Sequence, residues 1–287
     1  MNPLLNDQNN PELVKLLRAS IVSYTKAKYG EIRITYLLVF LAFAYPVSYI
    51  LVKDESVKLS LFGCSFLLTV LVQLFTNTFK GNTSKGAIFK EQFDTTLFEL
   101  PWKSTLKKPE RAIVSKLSLQ YKGKEITDWY SPNLSESVPH NCAVAVLQHT
   151  NAMWDIELRS AYRKWLIGFL TIYTIGLWIF LIYHNADSMT IFSIYFSILS
   201  FYSHFITLIR GHSSAIDKQK AVSKHLDEII LSKKRINTTE LRDIQDEIYI
   251  SRQEPAKVPN FFFRLYLKRM NAIVEDYIET VNRTYGA

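Results

Sequence analysis

The sequence predicts an all-α membrane protein: four transmembrane helices in two hairpins, with a mostly helical cytoplasmic region built from the N-terminal, central and C-terminal segments. Three observations predict it. Apolar runs cover residues 34–52, 57–75, 166–183 and 189–209, and apart from Lys58 at the edge of the second none contains Asp, Glu, Lys or Arg. A Lys or Arg at a bilayer centre costs about 3 kcal/mol, so charge-free runs are what a bilayer selects. About 19 helical residues at about 1.5 Å each span about 28 Å, close to the hydrocarbon thickness. The runs are also paired, because Lys53-Asp54-Glu55-Ser56 and His184-Asn185-Ala186-Asp187 are too short for anything but hairpin links. Finally, the basic residues gather on one side. Lys15, Arg18, Lys26, Lys28 and Arg33 precede the first run, and Lys80, Lys85 and Lys90 follow the second. Arg159, Arg163 and Lys164 precede the third, and Arg210 ends the fourth. The positive-inside rule then places both termini and the central segment in the cytoplasm. The first apolar run lies too far into the chain for a usual signal peptide, and no small-residue cleavage site follows it.

The elements follow in order. Residues 1–33 form an N-terminal cytoplasmic block. Asn10-Pro11-Glu12 supplies a capping side chain, a proline at the first helical position and an early acid. Leu13, Leu16, Leu17, Ile21 and Tyr24 recur at helical spacing, so an amphipathic helix runs toward span one. Residues 34–79 are the first hairpin, within which Pro46 kinks span one or unseats one backbone bond. The central cytoplasmic region, residues 80–165, starts with a helix marked by Ile88, Phe89, Phe93, Leu97 and Phe98 that stops at Pro101. Pro109-Glu110 opens another helix through Leu117, and residues 123–132 read as a loop. Ser137-Val138-Pro139 then begins a helix with no breaker before Tyr183. At about 45 residues and about 67 Å, it links cytoplasm to bilayer. Residues 166–209 are the second hairpin. The C-terminal region, residues 210–287, holds helices over 215–231 and 239–250, a break at 254–259, and a final helix from 261 to about 283.

Composition agrees. Hydrophobic content is 48% and mean hydropathy is near zero because polar mass dilutes the spans. The net charge of +8 would fit nucleic acid, but juxtamembrane Lys and Arg against anionic lipid account for much of it. No direct DNA or RNA binding is expected. Cys64 and Cys142 lie in different parts of the chain and read as free thiols. No GxGxxG, Walker loop, HExxH or CxxC spacing occurs. Glu91/Asp94 and Asp243/Asp246/Glu247 are paired carboxylates without a neighbouring His or metal spacing. No catalytic residue, metal or cofactor is expected, and the chain reads as no enzyme.

Three groups of residues carry the functional candidates. Span four has Thr190, Ser193, Ser197, Ser200, His204 and Thr207 on one helix face, echoed in span two by Ser65, Thr69, Gln73 and Thr76. Polar groups in lipid need partners or water, so this stripe fits either close helix packing through small residues or a wetted pore wall in an assembly. In the central block, Asn151, Asp155, Arg159 and Arg163 share one face and Trp154, Leu158, Tyr162 and Trp165 the next. Trp154 and Arg159 fit a core anchor and a bridging cation; they also fit a ring that stacks a base and a fork that holds phosphate. In the C-terminal block, Arg242, Gln245, Tyr249 and Arg252 fall on one face. That face suits a phosphate-bearing ligand or, with Asp246 and Glu247, a solvated ion-pair surface.

The chain resembles the SMODS-associating four-transmembrane effector family of bacterial anti-phage islands. The resemblance rests on the two hairpins and on ordered segments: Glu91–Asp94 with Leu100-Pro101-Trp102, Asp128-Trp129-Tyr130-Ser131-Pro132, and the Asn151–Arg159 stretch. Gln245–Arg252 and Val258-Pro259 followed by Phe261-Phe262-Phe263 complete it. It implies an effector of cyclic-oligonucleotide-based defence in the bacterial inner membrane. A cyclic di- or trinucleotide from a partner nucleotidyltransferase would bind the cytoplasmic region of a homo-oligomer, which then forms a pore or disrupts the bilayer. A membrane-anchored adaptor or a small transporter is the alternative. Force would pass along residues 139–183 and through a junction at 210–216.

Overall fold

A computed structural model describes residues 1–76, 80–254 and 256–286, without the side chains of 73–76 and 80. Among these residues every regular element is helical. A short 3-10 turn, Pro3–Leu5, precedes α1 (Pro11–Leu51), α2 (Glu55–Thr76), α3 (Lys80–Leu97), α4 (Arg111–Ser118) and α5 (His140–Tyr183). Then come α6 (Ser188–Ser197), α7 (Leu199–Leu231), α8 (Thr238–Arg252) and α9 (Asn260–Gly286).

α1 begins where the sequence predicts. The Asn10 side chain accepts from the Glu12 N–H at 2.9 Å, and Pro11 sits at the first position. The amphipathic stretch and span one are one rod of 41 residues. Its wet half packs along α3, and Gly86 permits the approach: a Cβ there would lie 3.0 Å from the Tyr24 ring. The rod continues through Pro46. Proline has no N–H for the carbonyl four residues back, and that carbonyl, on Ala42, instead accepts from the Tyr173 hydroxyl of α5 at 2.6 Å. The unseated bond is filled from another span.

α5 is a single helix of 44 residues, as the missing breakers predict. It packs along α7. Asn185, with φ of 51°, closes α5 in the left-handed region and turns the chain into α6. Two apolar cores result. One lies outside the spans and joins Leu17, Phe89, Phe93, Leu147, Leu226 and Leu241. The other joins the spans through Leu38, Tyr173, Leu177, Phe201 and Phe205 and takes in Phe262 and Met270 of α9.

The fourth crossing departs from the expectation of one continuous run over 189–209. It is broken at Ile198, where α6 and α7 meet at 50°. The other three crossings are unbroken helices long and apolar enough to span. The expected junction at 210–216 lies inside α7, which runs without interruption from the membrane to Leu231. The bend, not that junction, is the irregular point of this arm.

Candidate functional site

The polar stripe divides. Ser197 and Ser200 are buried and, with Ser65, face a void of about 100 Å³ between spans one, two and four. His204 Nε2 lies 2.8 Å from the Thr35 hydroxyl of α1. Thr69 and Ser65 bond backbone carbonyls of their own helix, at 3.0 and 2.7 Å. Thr207, which is exposed, does the same with Ser203. Ser193 is half-buried. The side chain of Gln73 lies outside the described residues, as does that of Thr76. Within one chain the buried members of the stripe are helix contacts.

The sequence segments of α3 and α8 explain each other. Glu91, fully buried, accepts from Arg242 Nη2 at 2.5 Å and from Gln245 Nε2 at 2.8 Å. Asp94, also fully buried, lies 2.6 Å from Arg252 and 2.8 Å from Lys90. Asp246 takes Arg242 at 2.7 Å and Lys103 at 2.8 Å. Buried charges persist only when paired and hydrogen-bonded, so the shared face of α8 is packed against α3 rather than solvated. Arg242 and Gln245 are consumed there, and Tyr249 is buried. Burial pushes the Asp94 carboxyl up, but Arg252 and Lys90 outweigh it and hold the group below its usual range.

Above this network lies a cavity of about 440 Å³, walled by α1, α3, α5, α7, α8 and the segment leading into α9. That volume suits a small organic ligand. Its walls bring together three of the predicted residues, Trp154, Arg159 and Arg252. They also carry residues that the sequence reading did not place there: Lys28, Lys90, Trp129, Lys257 and Phe263.

Each is positioned for a reason. Tyr130 anchors its loop by donating to Asp94 at 2.7 Å and accepting from Asn151 at 2.6 Å. Its neighbour Trp129 thereby lies over Lys90, whose Nζ is 4.5 Å from the indole centroid. Arg159 Nε donates to Asp155 at 2.7 Å and its Nη1 to the Ala256 carbonyl at 2.9 Å. It thus ties α5 to the 256–259 segment. Gly211 of α7 allows that segment close, since a Cβ there would meet Ala256 Cβ at 2.9 Å. Trp154 packs against Phe263 at 5.2 Å between centroids.

Two of the cations are poorly compensated. Lys28 Nζ donates to Asn260 at 3.0 Å, and Lys257 Nζ donates to the carbonyls of Arg252 and Glu254. Among the described residues neither ammonium has a carboxylate within ion-pair distance. Burial lowers Lys90 and Lys257 to about 7 and Lys28 to about 8, and nearby Arg159 adds to the effect on the last two. Burial also raises Glu31, which accepts from the Lys257 N–H at 3.2 Å, to about 7. An anion placed here would gain charge-assisted hydrogen bonds that the protein itself does not satisfy.

The fold and this cavity define a class: an all-α, multi-spanning membrane protein whose cationic, aromatic-walled chamber is built on the extensions of its spans. Comparison with known proteins gives the family. The chain belongs to the SMODS-associating 4TM effector domain family, whose model matches residues 2–281. It is also similar to a "Probable CBASS effector molecule" of Bacillus cereus (strain VD146). The two are 26% identical over 288 residues, which cover 91% of this chain and 92% of that one. No solved structure matches it.

Proposed function

We propose that the protein is a membrane effector of bacterial anti-phage defence. A cyclic nucleotide second messenger binds in the chamber, and the chain, as a homo-oligomer, rearranges to permeabilise the inner membrane. On this reading the chamber faces the cytoplasm, which the distribution of basic loops supports and where a partner nucleotidyltransferase would supply the signal. No catalytic step is involved.

One observation carries this reading. Lys28, Arg159 and Gln219 line the chamber on α1, α5 and α7, and each of these helices continues as a span. Lys28 lies about 9 Å along the rod from the start of the first apolar run, and Arg159 about as far from the third. A ligand drawing those walls together therefore acts on the crossings through unbroken helix. It shifts the equilibrium only by its differential affinity for the two arrangements. The 50° bend at Ile198 is the natural place for span four to change course.

Dye release from liposomes containing purified protein tests the proposal. Release that depends on a cyclic nucleotide is the expected result. Release without any such ligand removes the gating, and no release under any ligand removes the permeabilising role. The broken fourth span favours a small transporter as the second reading. It predicts solute flux without dye leakage.

A further inference from the structure

The chamber holds two groups that each set cations beside an aromatic face. One is Lys90 and Arg252 with Trp129; the other is Lys28, Arg159 and Lys257 with Trp154 and Phe263. The charges group the same way. Lys90 feels Asp94, Arg252 and Glu91, whereas Lys28 and Lys257 feel Arg159, Glu31 and Asp155. Tyr24 stands between the groups, its hydroxyl donating to the Arg252 carbonyl at 3.5 Å on one side and its ring facing Lys257 on the other. Its position is fixed by the Gly86 backbone and by Lys257 Nζ, 5.0 Å from the ring centroid.

Cations outnumber carboxylates in the second group and in the wider network around the first. Around the first, Lys90, Lys103, Arg242 and Arg252 face Glu91, Asp94 and Asp246. Around the second, Lys28, Arg159 and Lys257 face only Glu31 and Asp155. Each also has an aromatic face beside its cations: Trp129 at Lys90, and Phe263, 5.7 Å from Lys28 Nζ, beside Trp154. Cations hold phosphate, and indole or phenyl faces stack bases.

We propose that the chamber is specific for a cyclic dinucleotide, with each cation–aromatic unit taking one phosphate and its base, and the ring of the ligand passing around Tyr24. This rests on the cyclic-nucleotide reading above. A third nucleotide would find no further unit, and its phosphate would enter a buried site without a counter-charge.

The test is isothermal titration of detergent-purified full-length protein with cyclic di-AMP, cyclic di-GMP, cyclic tri-AMP and a linear diadenylate. One cyclic dinucleotide per chain should bind, at least about tenfold more tightly than the trinucleotide or the linear form. Lys90→Met and Lys257→Met should each weaken it about tenfold or more, the loss of one charged hydrogen bond. Trp129→Ala should weaken it as well, and Lys90→Arg should restore binding. Tighter binding of the trinucleotide overturns the dinucleotide assignment and leaves the cyclic-nucleotide reading intact. So does a Lys90→Met protein that binds normally while Lys257→Met does not. No binding of any cyclic nucleotide to folded wild-type protein overturns the broader reading. The wild-type ligand series decides the matter even if a variant fails to fold.

Discussion

Replacing Tyr173 by Phe isolates the physics of the Pro46 site. The Ala42 carbonyl lacks its helical donor because Pro46 stands four residues on, and the Tyr173 hydroxyl supplies one at 2.6 Å. Ala42 is 1% exposed and Tyr173 7%, inside the span core. Phe keeps the ring and its edge contact with Phe43 at 5.1 Å but removes the proton. A buried acceptor left unpaired costs about 1–3 kcal/mol, and the bilayer offers no water to replace the donor. Hydrogen bonds measured between membrane helices average nearer 0.6 kcal/mol, so about 1–2 kcal/mol is expected here. For a chain of this size that lowers the melting temperature by about 2–8 °C, readable by tryptophan fluorescence in detergent. The discriminating comparison is a double-mutant cycle with Pro46→Ala. Alanine restores an N–H to the helix, so Tyr173→Phe should cost less than about 0.5 kcal/mol in that background. Equal costs in both backgrounds would refute the assignment of Tyr173 as the substitute donor.

Three further outcomes follow from the geometry. Glu91→Ala strands the Gln245 amide and leaves Arg242 with Asp246 as its one carboxylate and should cost about 1–3 kcal/mol, a loss that a Glu91→Met/Arg242→Met double variant partly recovers in the same thermal assay. Gly211→Ala places a methyl 2.9 Å from Ala256 Cβ; it should cost about 1–3 kcal/mol by overpacking and weaken ligand binding, since the displaced segment carries Lys257. Ligand affinity should fall as pH rises through about 7 to 8. Burial holds Lys90 and Lys257 at about 7 and Lys28 at about 8, and a bound phosphate lifts all three. Binding therefore takes up protons, and each proton contributes up to about tenfold per pH unit above the free-state value. Glu31, raised to about 7, ionises in the same window and adds to the loss. Titration calorimetry across that range, in buffers of different ionisation enthalpy, measures the uptake.

Much of the scaffold was legible in the chain. The Asn10-Pro11-Glu12 cap, the uninterrupted stretch to Tyr183 and the apolar runs each depend on local chemistry, and each appears in the helices. The break in span four was not legible, because Ile198 sits in a run without glycine or proline.

The chamber was legible only in fragments. Trp154, Arg159 and Arg252 stood out as residues able to hold a nucleotide, and all three line it. Arg242 and Gln245 share a helix face with Arg252, but helical spacing does not say what that face meets, and it meets Glu91. Lys28 and Lys90 looked like two more basic residues beside a membrane. Their burial comes from the packing of α1, α3 and α5, which no single segment encodes.

The order of residues therefore determined how the chain divides between lipid and water, since the transfer cost of each run is nearly a sum over its own side chains. Which charges cancel and which remain available to an anion was decided by tertiary structure alone. Coulomb interactions depend on distances between residues far apart in the chain, and folding is what sets those distances.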